Sequence, residues 1–359
     1  MYSIFKNERL PKEIQSIELL RGIAAAMVCF FHLTWGSPTF LPEKNIVREI
    51  GTYGWTGVEI FFVISGFVIP YSMFVKNYSI GNFFIFLKKR VIRIEPPYLI
   101  SILAVLSMNF VSSLSPFYRG APFHLDWVNI ASHLAYLNAF TGGKWLNDAY
   151  WSLAIEFQYY LIIALVFQLI VSKNRYSRLI FFIVFNGSVF LAHDYNRFIF
   201  SYAEYFVVGI LLFQYLCKII SRAEYSILTL ITLSLLFYKE GWILTSLIVA
   251  TLLIIVYVDK VPYFLRYLGI ISYSFYLMHI PIGGRIINLG ENFVHSVFLR
   301  ECLVFVAFFV SIIASAYYYK IFERTFKTIS SSIKYGDHVP PEKKLPVPEE
   351  DFPYTTLKK

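Results

Sequence analysis

The 359-residue chain reads as an all-α polytopic membrane protein with about ten transmembrane helices, both termini cytoplasmic and a short disordered C-terminal tail. Three observations predict this. Hydrophobic residues make up 57% and aromatics 19%, with only 15% charged, against roughly a quarter charged in a soluble domain; the mean hydropathy is +0.58. Apolar runs of about 17–25 residues, the length that crosses a bilayer as a helix, recur along nearly the whole chain. Basic residues gather in alternate loops: 23 Lys and Arg fall on the N-terminal side, tail included, and seven on the other. That bias puts both termini in the cytoplasm. It also explains the net charge of +9 without nucleic acid.

In chain order the expected spans lie near 17–35, 54–75, 94–113, 149–171, 179–194, 198–217, 225–238, 242–258, 267–287 and 299–319. Residues 114–148 form a long loop in which 127–140 has the pattern of an amphipathic helix lying in the interface. Residues 1–327 form one membrane domain. The stretch 328–359 is rich in Pro and charge and is expected to be a disordered cytoplasmic tail too short for a second domain. Residues 1–15 are polar and lack a signal-peptide pattern. The three cysteines, Cys29, Cys217 and Cys302, are isolated in apolar runs, so neither a disulfide framework nor a metal site is expected. No internal repeat is visible, which disfavours a repeat-built transporter.

The first span carries Arg21 near one end and His32 near the other. Eleven residues is close to a whole number of helical turns, so both side chains leave one face, about 16 Å apart along the axis. An ionisable group in a bilayer costs on the order of 3 kcal/mol or more, so such residues usually pair or line a cavity. In the second span Glu59 is expected at the depth of His32, where a carboxylate would fix the imidazole tautomer and raise its basicity. Arg90 and Arg93 are helical i, i+3 neighbours just before Pro96, which suits the start of a span. Paired guanidiniums beside a helix N-terminus would hold a phosphate. Ser152 and Glu156, i, i+4 on the fourth span, share a face next to Trp151 and can orient a hydroxyl substrate. His279, after Tyr276 on the ninth span, is a second intramembrane imidazole, or else a partner for carbonyls freed by Pro281. A Gly-x-Ser-x-Gly elbow is absent, so a serine nucleophile has no support.

Five segments occur in order: Arg21 and His32 with ten residues between, Glu59-Ile-Phe-Phe-Val-Ile-Ser-Gly-Phe67, Arg90-x-x-Arg93-Ile-x-Pro, Trp151-Ser-Leu-x-x-Glu156, and Ser272-Tyr-Ser-x-Tyr-Leu-x-His279. Together, over roughly residues 12 to 325, they resemble the membrane-bound acyltransferase-3 family, which modifies extracytoplasmic sugars and other acceptors with acetyl or similar groups. The family often has Asp where this chain has Glu59. The resemblance implies an integral protein of the bacterial inner membrane that moves an acyl group, acetyl first, to a hydroxyl of a glycan or lipid-linked glycan such as O-antigen or exopolysaccharide. Acyl-CoA is then a co-substrate, with no tightly bound cofactor. It implies His32 as the catalytic residue, with Glu59 orienting it. Arg21 belongs to the same functional helix, and Arg90 and Arg93 lie near the acyl-CoA. Trp151, Ser152, Glu156, Tyr276 and His279 are assigned to substrate.

A covalent acyl-histidine relay is an alternative to direct base catalysis. A proton-coupled transporter using His32, Glu59 and His279 is the main rival. It accounts for the buried ionisable groups but not for the paired arginines. A glycosyltransferase or lipid-linked sugar flippase ranks behind it, because Asp126 and Asp148 are isolated rather than paired.

Overall fold

A computed structural model describes residues 14–118, 122–190 and 197–335. Among these residues all regular structure is helical. The first helix, α1 (Gln15–Trp35), has 21 residues, about 31 Å of rise and enough for a bilayer core. A short α2 (Ile46–Gly51) follows, capped by the Asn45 side chain, which accepts from the Val47 and Arg48 amides. Then come α3 (Gly57–Val75), α4 (Phe83–Ser113), α5 (Trp127–Leu134), α6 (Asn138–Thr141) and α7 (Tyr150–Ile170). The second half holds α8 (Arg175–Gly187), α9 (Ala203–Leu216), α10 (Arg222–Tyr257), α11 (Tyr263–Ile270), α12 (Ser272–His279), α13 (Arg285–Phe293), α14 (Val297–Tyr318) and α15 (Arg324–Ser332).

Among the described residues, seven segments are long and apolar enough to cross a membrane: Gln15–Trp35, Ile46–Val75, Ile80–Ser113, Tyr150–Ile170, Ile199–Leu216, Arg222–Tyr257 and Val297–Ser332. The seven differ from the expected ten for physical reasons. The 13-residue α8 is short. The expected span 267–287 is broken at Ile271 and again by a π-helical turn, Ile280–Gly284, that contains Pro281. The 36-residue α10 is interrupted at Gly241, whose φ of 80° and ψ of −174° suit glycine far better than any residue with a Cβ. It doubles back there. Glu224 near its start meets Arg178, and the Ile255 carbonyl near its end accepts from Ser16, whereas Lys239 between them meets Glu204 at the opposite edge.

α1 is the central element, packed against α3, α11, α12 and α14. The face that α3 turns to α9 depends on two glycines. A Cβ on Gly66 would lie 2.2 Å from the Phe206 carbonyl oxygen, and one on Gly209 2.2 Å from that of Val63. Backbones this close exclude any larger residue at either position.

Three expectations about local structure are corrected. Pro96 does not start a span: α4 runs without a break from Phe83 through Pro96 and Pro97 to Ser113. Neighbouring helices donate hydrogen bonds to its carbonyls there, Tyr273 to Ile94 at 2.8 Å and Tyr318 to Pro97 at 2.5 Å. The amphipathic stretch 127–140 is two short helices, because Tyr136 takes a left-handed φ of 56°; its exposed apolar residues include Trp127 and Phe140. The tail expected from 328 is helical to Ser332 and docked by Lys89, which donates to the Ser330 and Ile333 carbonyls. The rest of that tail, 336–359, lies outside the described residues.

Candidate active site

α12 runs in the same direction as α1, and Arg21 and His32 of α1 both meet it. Arg21 Nε donates to Ser272 Oγ at 3.1 Å, and His32 Nδ1 lies 3.1 Å from His279 Nε2. Arg21 and His32 therefore do share a face. His279 is fully buried.

The hydrogen bonds fix both tautomers. His279 Nδ1 is 3.1 Å from the Phe275 carbonyl oxygen and His32 Nδ1 is 3.0 Å from that of Val28. A carbonyl only accepts, so each Nδ1 carries its proton. The neutral His279 ring then presents a bare Nε2, which accepts from the shared His32 Nδ1–H. What remains is His32 Nε2, an unprotonated nitrogen with no hydrogen-bond partner among the described residues. That is the protonation pattern a general base needs. The exposed Asp148 carboxylate lies within electrostatic range of the same ring.

Glu59 is not the orienting group. Its bonds do not reach His32, and its Oε2 has no hydrogen-bond partner. The charges that act on it are Glu240 and Lys239 of α10. Depth explains this. A Cβ on Gly57 would lie 2.4 Å from the Ala24 carbonyl oxygen, so α3 begins beside the middle of α1. Glu59 is two residues further down and His32 eight residues further up, about 15 Å apart along the axes. The segment containing α2 takes up the chain that would otherwise have carried α3 to the level of His32.

Two cavities flank the imidazole pair. The near one, toward the N-terminal end of α1, has a volume of about 70 Å³ and is lined by Arg21, Ser65, Ser152, Glu156, Ser272 and Tyr276 among others. Ser152 and Tyr276 hydroxyls are 2.6 Å apart. Glu156 accepts from Ser65 at 3.2 Å and from Tyr160. The far cavity, about 160 Å³, is lined by Asn109, Asn147, Ile280, Arg285 and Asn288 among others. His32 and His279 line neither cavity; the pair stands between them, since Tyr276 borders one and Ile280 the other.

The basic residues converge on the near side. Arg90 lies over the rings of Phe86 and Tyr160, at 5.2 and 5.4 Å. Arg93 lies within electrostatic range of both Arg21 and Arg90. Lys76, just beyond α3, joins them: burial, then the charges of Arg90 and Arg93, hold its ammonium below the ordinary lysine value. The three predicted arginines thus form one cluster, on a continuous helix rather than at a helix N-terminus. Trp151 departs from expectation, because it lines neither cavity and packs on Phe62 and Tyr202. Ser65, Tyr160 and Lys76 were not singled out by sequence, and Asp148 was weighed only as an isolated acid. Of these only Ser65 carried a signal, as the one hydroxyl in an apolar stretch of α3.

A family model described as an acyltransferase domain matches residues 14–320. The chain belongs to this acyltransferase family. It is 27% identical over 206 residues to Nodulation protein 10 of Rhizobium leguminosarum bv. viciae, covering 53% of this chain and 54% of that one. It is also 27% identical over 176 residues to O-acetyltransferase OatA of Staphylococcus aureus (strain NCTC 8325 / PS 47), covering 46% of this chain and 26% of that one. The alignments thus span about half and about a quarter of these relatives' lengths. No solved structure matches the chain. The chain is thus a multi-pass membrane protein carrying this family's acyltransferase domain, and nothing in the comparisons favours a transporter.

Proposed function

We propose that this acyltransferase moves an acyl group, acetyl in the first instance, from cytoplasmic acyl-CoA to a hydroxyl of an extracytoplasmic glycan such as O-antigen or exopolysaccharide in the bacterial inner membrane. His32 is the general base. In this reading α8, the two limbs of α10 and the broken run α11–α13 complete ten crossings, with both termini cytoplasmic. The observation that carries the mechanism is the bare His32 Nε2, held by Val28 and His279 between two cavities.

The phosphates of the donor meet Arg90 and Arg93, with Lys76 beside them. The pantetheine arm enters the near cavity past Arg21 and brings its thioester to the level of Tyr276. An acceptor hydroxyl arrives from the far cavity and gives its proton to His32 Nε2. Its oxygen attacks the thioester carbon and the thiolate of CoA leaves, taking up the proton. Base catalysis of this kind is worth about 10²–10⁴ in rate. The imidazolium formed is stabilised by the Val28 carbonyl, by His279 Nε2 and by the field of Asp148. His279 and Glu156 are positioning residues here. The Tyr276 hydroxyl borders the reacting carbonyl and can donate to its developing oxyanion while accepting from Ser152. Glu59 has no part in the step.

The test is mass spectrometry of surface glycan from cells with the wild-type chain, without it, and with His32→Ala. One acyl mass gained with the wild type and lost in the variant supports the proposal. Glycan equally modified by the variant would contradict it.

A further inference from the structure

We propose that the far cavity is an acceptor subsite for an anionic sugar, with Arg285 as its carboxylate-binding residue; this rests on the acyltransferase reading above. The arginines of this half of the molecule make the contrast. Arg48 is satisfied by the Pro38 and Leu41 carbonyls, at 3.2 and 2.9 Å, and lies over the Trp35 ring. Arg300 is satisfied by the Val294 and Phe40 carbonyls, at 2.7 and 2.9 Å. Both hold loops in place. Arg285 instead lines a cavity, partly buried. It gives one hydrogen bond to a neutral group, Asn109 Oδ1, and has no carboxylate partner among the described residues.

A guanidinium has five donors in a planar fork that matches a carboxylate. Nη2 is anchored by Asn109, so the remaining donors are pre-oriented. Asn147 and Asn288, which line the same space, add neutral groups suited to sugar hydroxyls. A volume of about 160 Å³ is well above what single waters need and gives room for one sugar ring of the acceptor.

The position fits the chemistry. Arg285 follows His279 by six residues through the π-helical turn Ile280–Gly284, about 9 Å along the axis. A ring whose carboxylate engages Arg285 can turn a hydroxyl on its opposite edge toward the imidazole pair. A hexuronic acid or other carboxylated sugar is therefore the expected acceptor residue. The same cation could in principle serve a carboxylated acyl group brought by the donor, so the two sources need separating.

The probes are a hexuronic acid-containing tetrasaccharide and the same compound with its carboxyls reduced to alcohols. Binding to the purified full-length chain is measured first, without donor, for the wild type, Arg285→Lys and Arg285→Gln. The wild type is expected to prefer the anionic form about tenfold or more, as one charge-assisted contact allows. Arg285→Lys should keep part of that preference and Arg285→Gln should lose it. Equal binding of the two probes to the wild type, or an undiminished preference in Arg285→Gln, would overturn the assignment. Transfer from acetyl-CoA and succinyl-CoA is then compared. An Arg285-dependent gain for succinyl-CoA, with no discrimination between acceptors, would reassign the cation to the acyl group and overturn the proposal as stated. Arg285-dependent binding with no ester formed from either donor would leave the subsite standing and sink the acyltransfer proposal instead.

Discussion

Two regions of this molecule hold charge inside apolar helices, and they differ in what the charge faces. Along α1, α7 and α12, Arg21 and Glu156 line a cavity, while His32 and His279 stand between that cavity and a second one. Along α3, α9 and α10, Lys239 Nζ lies 2.7 Å from Glu204 and 3.3 Å from Glu240, with Glu59 close by, and none of the four lines either cavity. The first region has polar groups turned toward space that a substrate can fill. The second is closed on itself and ties two helices together. Ionisable groups within membrane spans thus mark a candidate site where they line or separate cavities, and elsewhere serve packing.

The comparison can be broken most forcefully at the imidazole pair. His279→Ala removes the acceptor that holds the His32 ring, and kcat should fall on the order of 10²-fold with little change in KM for either substrate. The pH–rate midpoint should move as well, which a merely structural residue would not cause. At the basic cluster, Arg90→Ala combined with Arg93→Ala should raise KM for acetyl-CoA about tenfold or more, while KM for acetyl-pantetheine, which lacks the nucleotide phosphates, stays put. An equal effect on both donors would remove the arginines from the phosphate site.

In the closed region the expected readout is stability. Lys239→Met strands the Glu204 carboxylate, which is 1% exposed. It should destabilise the protein by on the order of 2 kcal/mol, less than for a fully buried pair because the lysine keeps some contact with water. Specific activity of the folded fraction should be unchanged. The smallest effect is at His133, outside the candidate spans and fully buried, whose Nε2 accepts from the Leu146 amide at 3.0 Å. Burial holds this imidazole below its ordinary value, so the unfolded chain takes up the proton more readily than the folded one. Stability from this group is full above about pH 6.5 and is lost as pH falls below it. Thermal midpoints measured from pH 7 to pH 5 should decline less steeply in His133→Asn.

The helical class, and the shared face of Arg21 and His32, were legible because both follow from hydropathy and the 3.6-residue period alone. Ser152 and Glu156 were legible as cavity neighbours for the same reason. Glu59 was misplaced because depth was counted from the start of an apolar run, and the turn before α3 shifts that origin by several residues. Pro96 misled because a proline removes from a helix only the bond to the carbonyl four residues back. The stretch is buttressed by Tyr273 and Tyr318, which bond the Ile94 and Pro97 carbonyls from helices distant in sequence. Pairing of His32 with His279 was out of reach, since no local pattern says which distant helix packs on α1. Arg285 had no legible role, because whether an arginine meets carbonyls or open space is decided by loops far away in sequence.

Sealed proteoliposomes holding acetyl-CoA inside and a glycan acceptor outside allow His32→Ala and Glu59→Gln to be compared at equal folded protein. With His32 as the base and Glu59 outside the reaction, His32→Ala should lose about 10²-fold or more in acetyl transfer, while Glu59→Gln keeps the wild-type rate within about a factor of two. Comparable losses in both variants, or an active His32→Ala, would contradict that division of roles.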